Sequence, residues 1–413
     1  MNLSVGIDVG KSKLSYCGIT TEDNKPVFRG EVSNDTNGAK EIQQTIVKWA
    51  DNESIDPIRQ IIIGMEATSV YHYHIMQYFY NNHDLKDKYR TITVCLNPKA
   101  SHDFSKVLNT DKTDRIDAEH IALQLRSGIY KPTIDRSEEY LAIQRLTRER
   151  SHVVKEMAGA KNHYLNNLYL KINTADSKLP TSVFSTTMMT LLSGEKYSLN
   201  QLKNTTIEDL GNIINHLSRG AFKDPEYVAK AVKKSIHDSY ELNKTIEYSV
   251  DLTLGIYLTQ IRMYQAQIKQ FEKAIDQLSK TMHEIQCLQS IPGIGAVYSA
   301  GIVAEVGQVK RFPNEAGLAK YAGLTWKRNQ SGNYDQEEKH LPHNGDQYLR
   351  YYLVEAADSV RKHDPVFAAY YAKKFKEVNT HQHHRACILT ARKLIRVIYT
   401  LLQQNKLYEP ASS

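Results

Sequence analysis

Cysteine is scarce in this chain: Cys17, Cys95, Cys287 and Cys387 are the four in 413 residues, far apart and with no CxxC pair. That spacing suggests neither a zinc site nor a disulfide framework, and it fits a reducing cytoplasm. Long apolar runs are missing too. No stretch of about 18 uninterrupted apolar residues occurs, which argues against a membrane span. The opening MNLSVGIDVGKSK lacks a basic segment, an apolar run and a small-residue cleavage site, so it does not read as a secretory leader. An acidic excess is also absent. Lys and Arg number 53 against 46 Asp and Glu, for a formal net charge of +7, with a pI near 8.9. Such a balance suits a polyanionic partner, because cations that neutralise phosphates release counterions.

With 41% hydrophobic residues, the chain is long enough for two or three domains, each burying a core. The first 130 residues alternate between strand and helix patterns. Leu3 to Asp8, Leu14 to Thr20 and Val27 to Val32 are short apolar or alternating runs divided by turn residues, as in a three-stranded meander. A helix is expected from Ala39 to Ala50, a strand from Ile58 to Met65, a helix from Ser69 to Tyr80 and a strand from Thr91 to Leu96, ended by Asn97-Pro98. Helical spacing returns from Asp114 to Leu125. These alternations predict an α/β domain.

The remainder reads as helical. Ser137 to Tyr169 is a charged helix, 171 to 220 is rich in Ser, Thr, Asn and Leu and harder to read, and Leu254 to Ile285 carries apolar residues at alternating spacings of three and four. That last pattern is the seam of a coiled coil, and it serves equally for a long helix packed inside one subunit. The closing helix, about Ala386 to Gln403, places Ile388, Ala391, Ile395, Ile398 and Leu402 on one face. Arg385, Arg392, Lys393 and Arg396 lie elsewhere on it, as a DNA surface or as a solvated basic face.

Four carboxylates stand out. Asp8 ends the first strand in GIDVGK, Glu66 ends IIIGME, and Asp114 and Asp117 are spaced i, i+3, which puts both on one face of a helix. If the two strands are neighbours, all four converge. Close like charges raise one another's pKa values, and a hard divalent ion, Mg²⁺ or Mn²⁺, resolves the conflict and supports phosphoryl transfer. Each carboxylate also has a plain structural use, in a turn, a cap or a solvated first helical turn. Asp111, three residues before Asp114, leaves the register of the pair open. GIDVGKSK also looks like the first phosphate loop of actin-like kinases, but no second glycine-rich loop or adenosine segment follows.

Ile291-Pro-Gly-Ile-Gly295 with Ala296, Ala300, Ile302 and Val303 resembles a helix-hairpin-helix element, in which Gly293 and Gly295 let backbone N–H groups approach a phosphate. A tight turn between core helices is the plainer alternative. Ser331 precedes a glycine in GLTWKRNQSGNY, beside Lys327 and Arg328, which are suited to holding a target phosphate. In HQHHR, His381, His383 and His384 lack i, i+4 pairing with one another or an accompanying cysteine, so they read as surface or RNA-contacting. The 26 tyrosines form no Arg-His-Arg-Tyr constellation and are mostly packing.

Taken together, GIDVGK, GMEATSVYH, KTDRIDAEHIA, KNHYLNNL, SIPGIG, AEVGQVKRFPNEAGLAKYAGLTWKRNQSG and ARKLIRVIYTLL resemble the insertion sequence 110 family of DEDD transposases, in family order and over nearly the whole chain. The resemblance implies a RuvC-like, RNase H-type α/β domain (1–135), a helical coiled-coil region (136–285) and a mainly helical C-terminal transposase domain with a helix-hairpin-helix-like element (286–413). It carries over Asp8, Glu66, Asp114 and Asp117 as the metal ligands, setting Asp111 aside, and Ser331 as a nucleophile that forms a phosphoserine link with DNA. It further implies donor and target DNA, a structured guide RNA encoded by the element, and a homo-oligomer, dimer or tetramer, whose subunits complete one another's sites. A RuvC-like junction nuclease with a structural Ser331, or a non-catalytic nucleic-acid-binding scaffold, would use the same residues differently.

Overall fold

The computed structural model describes the chain except residues 53–55, 68, 109–113, 131–137, 326–329, 332–333, 336–344 and 410–413; at 330, 331, 334 and 335 it describes backbone only. It divides into two compact units, Met1–Asp135 and Arg136–Ser413.

The first unit is built on a five-stranded sheet in the order β3-β2-β1-β4-β5. Strands β1 (Asn2–Val9), β2 (Lys13–Thr20) and β3 (Pro26–Ser33) form the antiparallel meander expected from their alternation. Parallel to β1 runs β4 (Gln60–Glu66), and parallel to β4 runs β5 (Ile92–Leu96). Because β1 is central and covered on both faces, it is buried almost throughout, with Leu3, Val5 and Ile7 fully enclosed. Helix α1 (Thr36–Ala50) is started by Asp35, whose carboxylate accepts from the backbone N–H groups of Asn37 and Gly38 at 2.9 Å. Helices α2 (His72–Tyr80), α3 (His83–Tyr89), α4 (Pro98–Leu108) and α5 (Asp114–Arg126) complete the unit. Of these, α3 and α4 were not legible as separate helices: they are short and polar, and Asn97-Pro98 both stops β5 and starts α4.

The second unit is mostly helical and has two cores. Helix α6 (Glu138–Lys171) and helix α12 (Lys244–Ser279) pack along each other. Between them in sequence lie α7 (Ala175–Lys178), α8 (Thr186–Leu192), α9 (Leu199–Asn204), α10 (Ile207–Ser218) and α11 (Pro225–His237). With Tyr164 and Leu168 of α6 and Leu254, Leu258 and Ile261 of α12, these helices bury one core, so the unreadable 171–220 segment is a folded helical insert. After α12 come α13 (His283–Gln289), α14 (Ala296–Val306), α15 (Glu315–Tyr321), the hairpin of β6 (Gln330–Ser331) and β7 (Tyr334–Asp335), α16 (Gln347–His363), α17 (Pro365–Lys376) and α18 (Gln382–Gln404). The helices among these gather with Ile143 and Ile275 into the other core, to which Ile388, Ala391, Ile395, Ile398 and Leu402 contribute the apolar face read from the sequence. The expected seam of α12 thus meets α6 of the same chain. It is buried at Leu254 and Ile261, half-buried at Tyr264, Ile268 and Phe271, and buried again at Ile275; the helix stops at Ser279, so Met282 and Ile285 are core residues beyond it.

An ion pair fastens α6 to α14. Arg148 donates to both oxygens of Glu305, at 2.7 and 2.8 Å, and Gln144 adds a bond of 2.8 Å. The Glu305 side chain is fully enclosed. Burial pushes its carboxyl above the usual range while Arg148 pulls it back.

Candidate metal centre and nucleic-acid surface

The carboxylates of the first unit are brought together by the sheet and by the way α5 lies on it. Ile7 pairs with Met65 in the parallel β1–β4 register, so Asp8 and Glu66 are the next residues along two adjacent strands. Helix α5 crosses this pair of strands at glycines. A Cβ on Gly6 would lie 2.2 Å from the Ala118 carbonyl oxygen and 2.4 Å from the Ala122 nitrogen, and one on Gly64 would lie 2.6 Å from Leu125 Cδ1. Gly6 and Gly64 are themselves register partners, so the sheet presents a shallow track for the helix. At the far end of α5, Arg126 donates to the carbonyls of Thr20 (2.7 Å) and Thr21 (3.0 Å) and to the Asn24 side chain. The helix is held by its glycine track and its last turn, and its first turn, with Asp114 and Asp117, comes over the end of β1.

Electrostatics report the result. Burial first, and then the charges of Asp117, Asp114 and Glu66 in that order of effect, together raise the Asp8 carboxyl from its ordinary 3.8 to about 6. Asp114 is exposed, while Asp8, Glu66 and Asp117 are half-buried. The four therefore share one electrostatic site, although among the described residues no three of them bring their oxygens within 4.8 Å of one another. The donor set is all carboxylate, which suits a hard cation with retained waters. Lys13 lies nearby: it pairs with Glu31 at 2.6 Å and also feels Asp114. Asp111 lies outside the described residues.

In the second unit, Ile291 to Gly295 forms the turn between α13 and α14. Gly293 has a positive φ of 94°, and a Cβ there would lie 3.0 Å from Ser359 and His363 of α16. The space that Gly293 leaves is taken by protein, so packing and backbone conformation account for that glycine, and the plainer turn reading fits it. Gly295 differs. It is the exposed N-cap of α14 with open space where a side chain would be. Ser331 stands in β6, paired in register with Tyr334; Lys327 and Arg328 lie outside the described residues. Of the basic residues on α18, Arg385 bonds Glu377 at 3.2 Å and Lys393 sits 4.9 Å over the rings of Phe367 and Tyr370. Both thus have partners within the chain, and Arg396 is exposed. Among the described residues, no helix is long and apolar enough to cross a membrane.

The sequence reasoning missed one cluster of donors. Asp358 on α16 and His383 and Cys387 on α18 bring one ligand atom each to within 4.8 Å of one another. His383 and Cys387 are i, i+4, the helical pairing that the histidines of HQHHR lack among themselves.

Comparison with known proteins agrees with the motif order. A transposase model of the IS110 DEDD type matches residues 5–171, and a model described as transposase IS116/IS110/IS902 family matches residues 285–372. An insertion element IS110 uncharacterized 43.6 kDa protein from Streptomyces coelicolor is 32% identical over 122 residues, 30% of this chain and 29% of that one. An insertion element IS116 uncharacterized 44.8 kDa protein from Streptomyces clavuligerus is 29% identical, covering 32% of each chain. The transposase for insertion sequence element IS1111A from Coxiella burnetii is 26% identical over 31% of this chain and 35% of that one. The chain thus spans about a third of the length of these relatives. Among solved structures, T. thermophilus RuvC in complex with Holliday junction substrate aligns with 32% of this chain and 100% of its own, at 12% identity and a TM-score of 0.24.

Proposed function

The chain belongs to the IS110 family of DEDD transposases, and from that membership we propose that it moves an insertion sequence by metal-dependent, serine-mediated DNA recombination. The observation that supports this most is the Asp8 carboxyl, raised to about 6 by burial and by the charges of Asp117, Asp114 and Glu66. A group of like charges kept partly out of water is unfavourable unless a cation joins it. Asp8, Glu66, Asp114 and Asp117 are the residues that would hold Mg²⁺ or Mn²⁺. When bound, such ions withdraw charge from a scissile phosphate and stabilise the leaving oxygen.

Ser331 is the nucleophile in this proposal. Its Oγ forms a bond to the phosphorus of a DNA phosphodiester, the bond to the leaving sugar oxygen breaks, and the hydroxyl proton passes to a base while the leaving oxygen takes one up. Lys327 and Arg328 hold the phosphate. The exposed Gly295 at the start of α14 offers backbone N–H groups to the DNA backbone. Residues 1–135 supply the carboxylates, 136–285 the helical middle region and 286–413 the serine-bearing domain. Donor and target DNA are the substrates, a structured guide RNA pairs with them, and the chain acts as a homo-oligomer, dimer or tetramer, in which the carboxylates of one subunit meet the serine of another.

Trapping of a denaturant-resistant protein–DNA adduct tests the reading. Wild type should give the adduct in Mg²⁺, and Ser331→Ala should give none. An adduct persisting in Ser331→Ala would overturn the serine assignment, and metal-dependent cleavage without any adduct would favour a junction nuclease in which Ser331 is structural.

A further inference from the structure

We propose that Asp358, His383 and Cys387 form a second metal site, for a zinc-class transition-metal ion, which ties the start of α18 to α16. Cys387 Sγ lies 3.7 Å from Asp358 Oδ1 and 3.7 and 3.8 Å from His383 Nδ1 and Nε2. In a tetrahedral zinc site with ligand bonds of about 2.0 to 2.3 Å, neighbouring donors stand about 3.6 Å apart. The observed separations are within a few tenths of an ångström of that value. The donors are also of the kind that separates this site from the carboxylate group: one thiol, one imidazole and one carboxylate favour a borderline-soft ion over Mg²⁺.

The surroundings match those of a metal-binding imidazole. His383 Nδ1 is 2.7 Å from the Tyr371 hydroxyl. With Nδ1–H donating to that oxygen, the lone pair of Nε2 is free for an ion, and the ring is held in orientation by its second nitrogen. Asp358 receives Arg361 on Oδ1, at 2.6 and 2.7 Å, and Lys362 on Oδ2 at 2.6 Å. Metal binding at Oδ1 therefore requires Arg361 to yield part of its hold. The thiolate supplies a negative charge to the ion beyond that of the Asp358 carboxylate, which Arg361 and Lys362 already neutralise. Cys387 is buried, which raises its thiol to about 11, so the ion takes the place of a proton that passes to solvent. His383 is exposed, so solvent water can complete the coordination of a bound ion.

A metal here has a clear structural use. Helix α18 begins after His381, whose φ is 51°, and no side chain caps its first turn. Its opening residues include the exposed His384. Joining His383 and Cys387 to Asp358 fixes the first two turns of the helix against α16.

Cobalt provides the test, because thiolate coordination gives a ligand-to-metal charge-transfer band that an all-oxygen site cannot produce. Full-length chain freed of metal with a chelator is titrated with Co²⁺ and then with Zn²⁺. We expect one equivalent of Co²⁺ to develop the thiolate band and tetrahedral visible bands, both removed by Zn²⁺. Cys387→Ser should abolish the thiolate band. His383→Gln, at an exposed position, should weaken zinc binding at least about 10-fold while circular dichroism stays unchanged. Cys95→Ser should leave the spectrum as in wild type. A folded wild type with no thiolate band, a band unaltered in Cys387→Ser, or zinc affinity unchanged in His383→Gln overturns the proposal and leaves the cluster as a hydrogen-bonded junction of the two helices.

Discussion

Asp8 is held as a partly buried carboxyl that retains its proton to about pH 6, against an ordinary value of 3.8. Between those values the folded chain binds more protons than the unfolded chain, so stability falls as pH rises through the window and stays lowered above it. After allowance for the solvent exposure of the group, the effect is about 1 to 2 kcal/mol. In the presence of a chelator, Asp8→Asn should therefore melt at a higher temperature than wild type at pH 7, with the difference vanishing near pH 4. Equal melting temperatures at pH 7 would show that burial and the neighbouring carboxylates do not disfavour the Asp8 charge. At the same scale, Arg148→Met leaves the enclosed Glu305 without its cation. Loss of about 3 to 5 kcal/mol is expected by urea denaturation, whereas a change below about 1 kcal/mol would mean that the pair contributes little.

At the scale of elements, α5 decides whether the carboxylates meet. Its seat is a pair of glycines, and a methyl group on Gly6 would have to pass within 2.2 Å of a helix carbonyl. Gly6→Ala should cost about 1 to 3 kcal/mol and displace Asp114 and Asp117 together, so recombination should fall by more than the stability loss alone explains. A variant with wild-type stability and activity would contradict the track. The strands β1 to β5 and the apolar face of α18 were legible because period-two and period-3.6 patterns survive wherever one face meets a core. The glycine track was not, since Gly6 and Gly64 acquire meaning only when β1 and β4 are seen in register. Likewise, the sequence does not show that α16 stands where a side chain on Gly293 would lie. His383 and Cys387 were overlooked for a different reason: the histidines were read as having no accompanying cysteine, whereas Cys387 follows His383 by four residues, one turn along the same helix.

For the molecule as a whole, the two units have separate hydrophobic cores. Leu3, Val5, Ile7, Ile61 and Ile63 anchor the first, while the second unit is organised around the two ends of the α6–α12 pair. Residues 136–413 expressed alone should retain helical circular dichroism and unfold cooperatively on heating; a featureless, non-cooperative melt would show that the units fold only together. The functional reading joins these units through chemistry: carboxylates from one and a serine from the other. Its central claim is that the Asp114–Asp117 turn is the catalytic register, in preference to Asp111. The direct measurement is strand exchange between donor and target DNA in Mg²⁺ by wild type, Asp114→Asn and Asp111→Asn. A loss of at least about 100-fold is expected for Asp114→Asn, with near-wild-type exchange for Asp111→Asn. Undiminished exchange by Asp114→Asn would contradict that register.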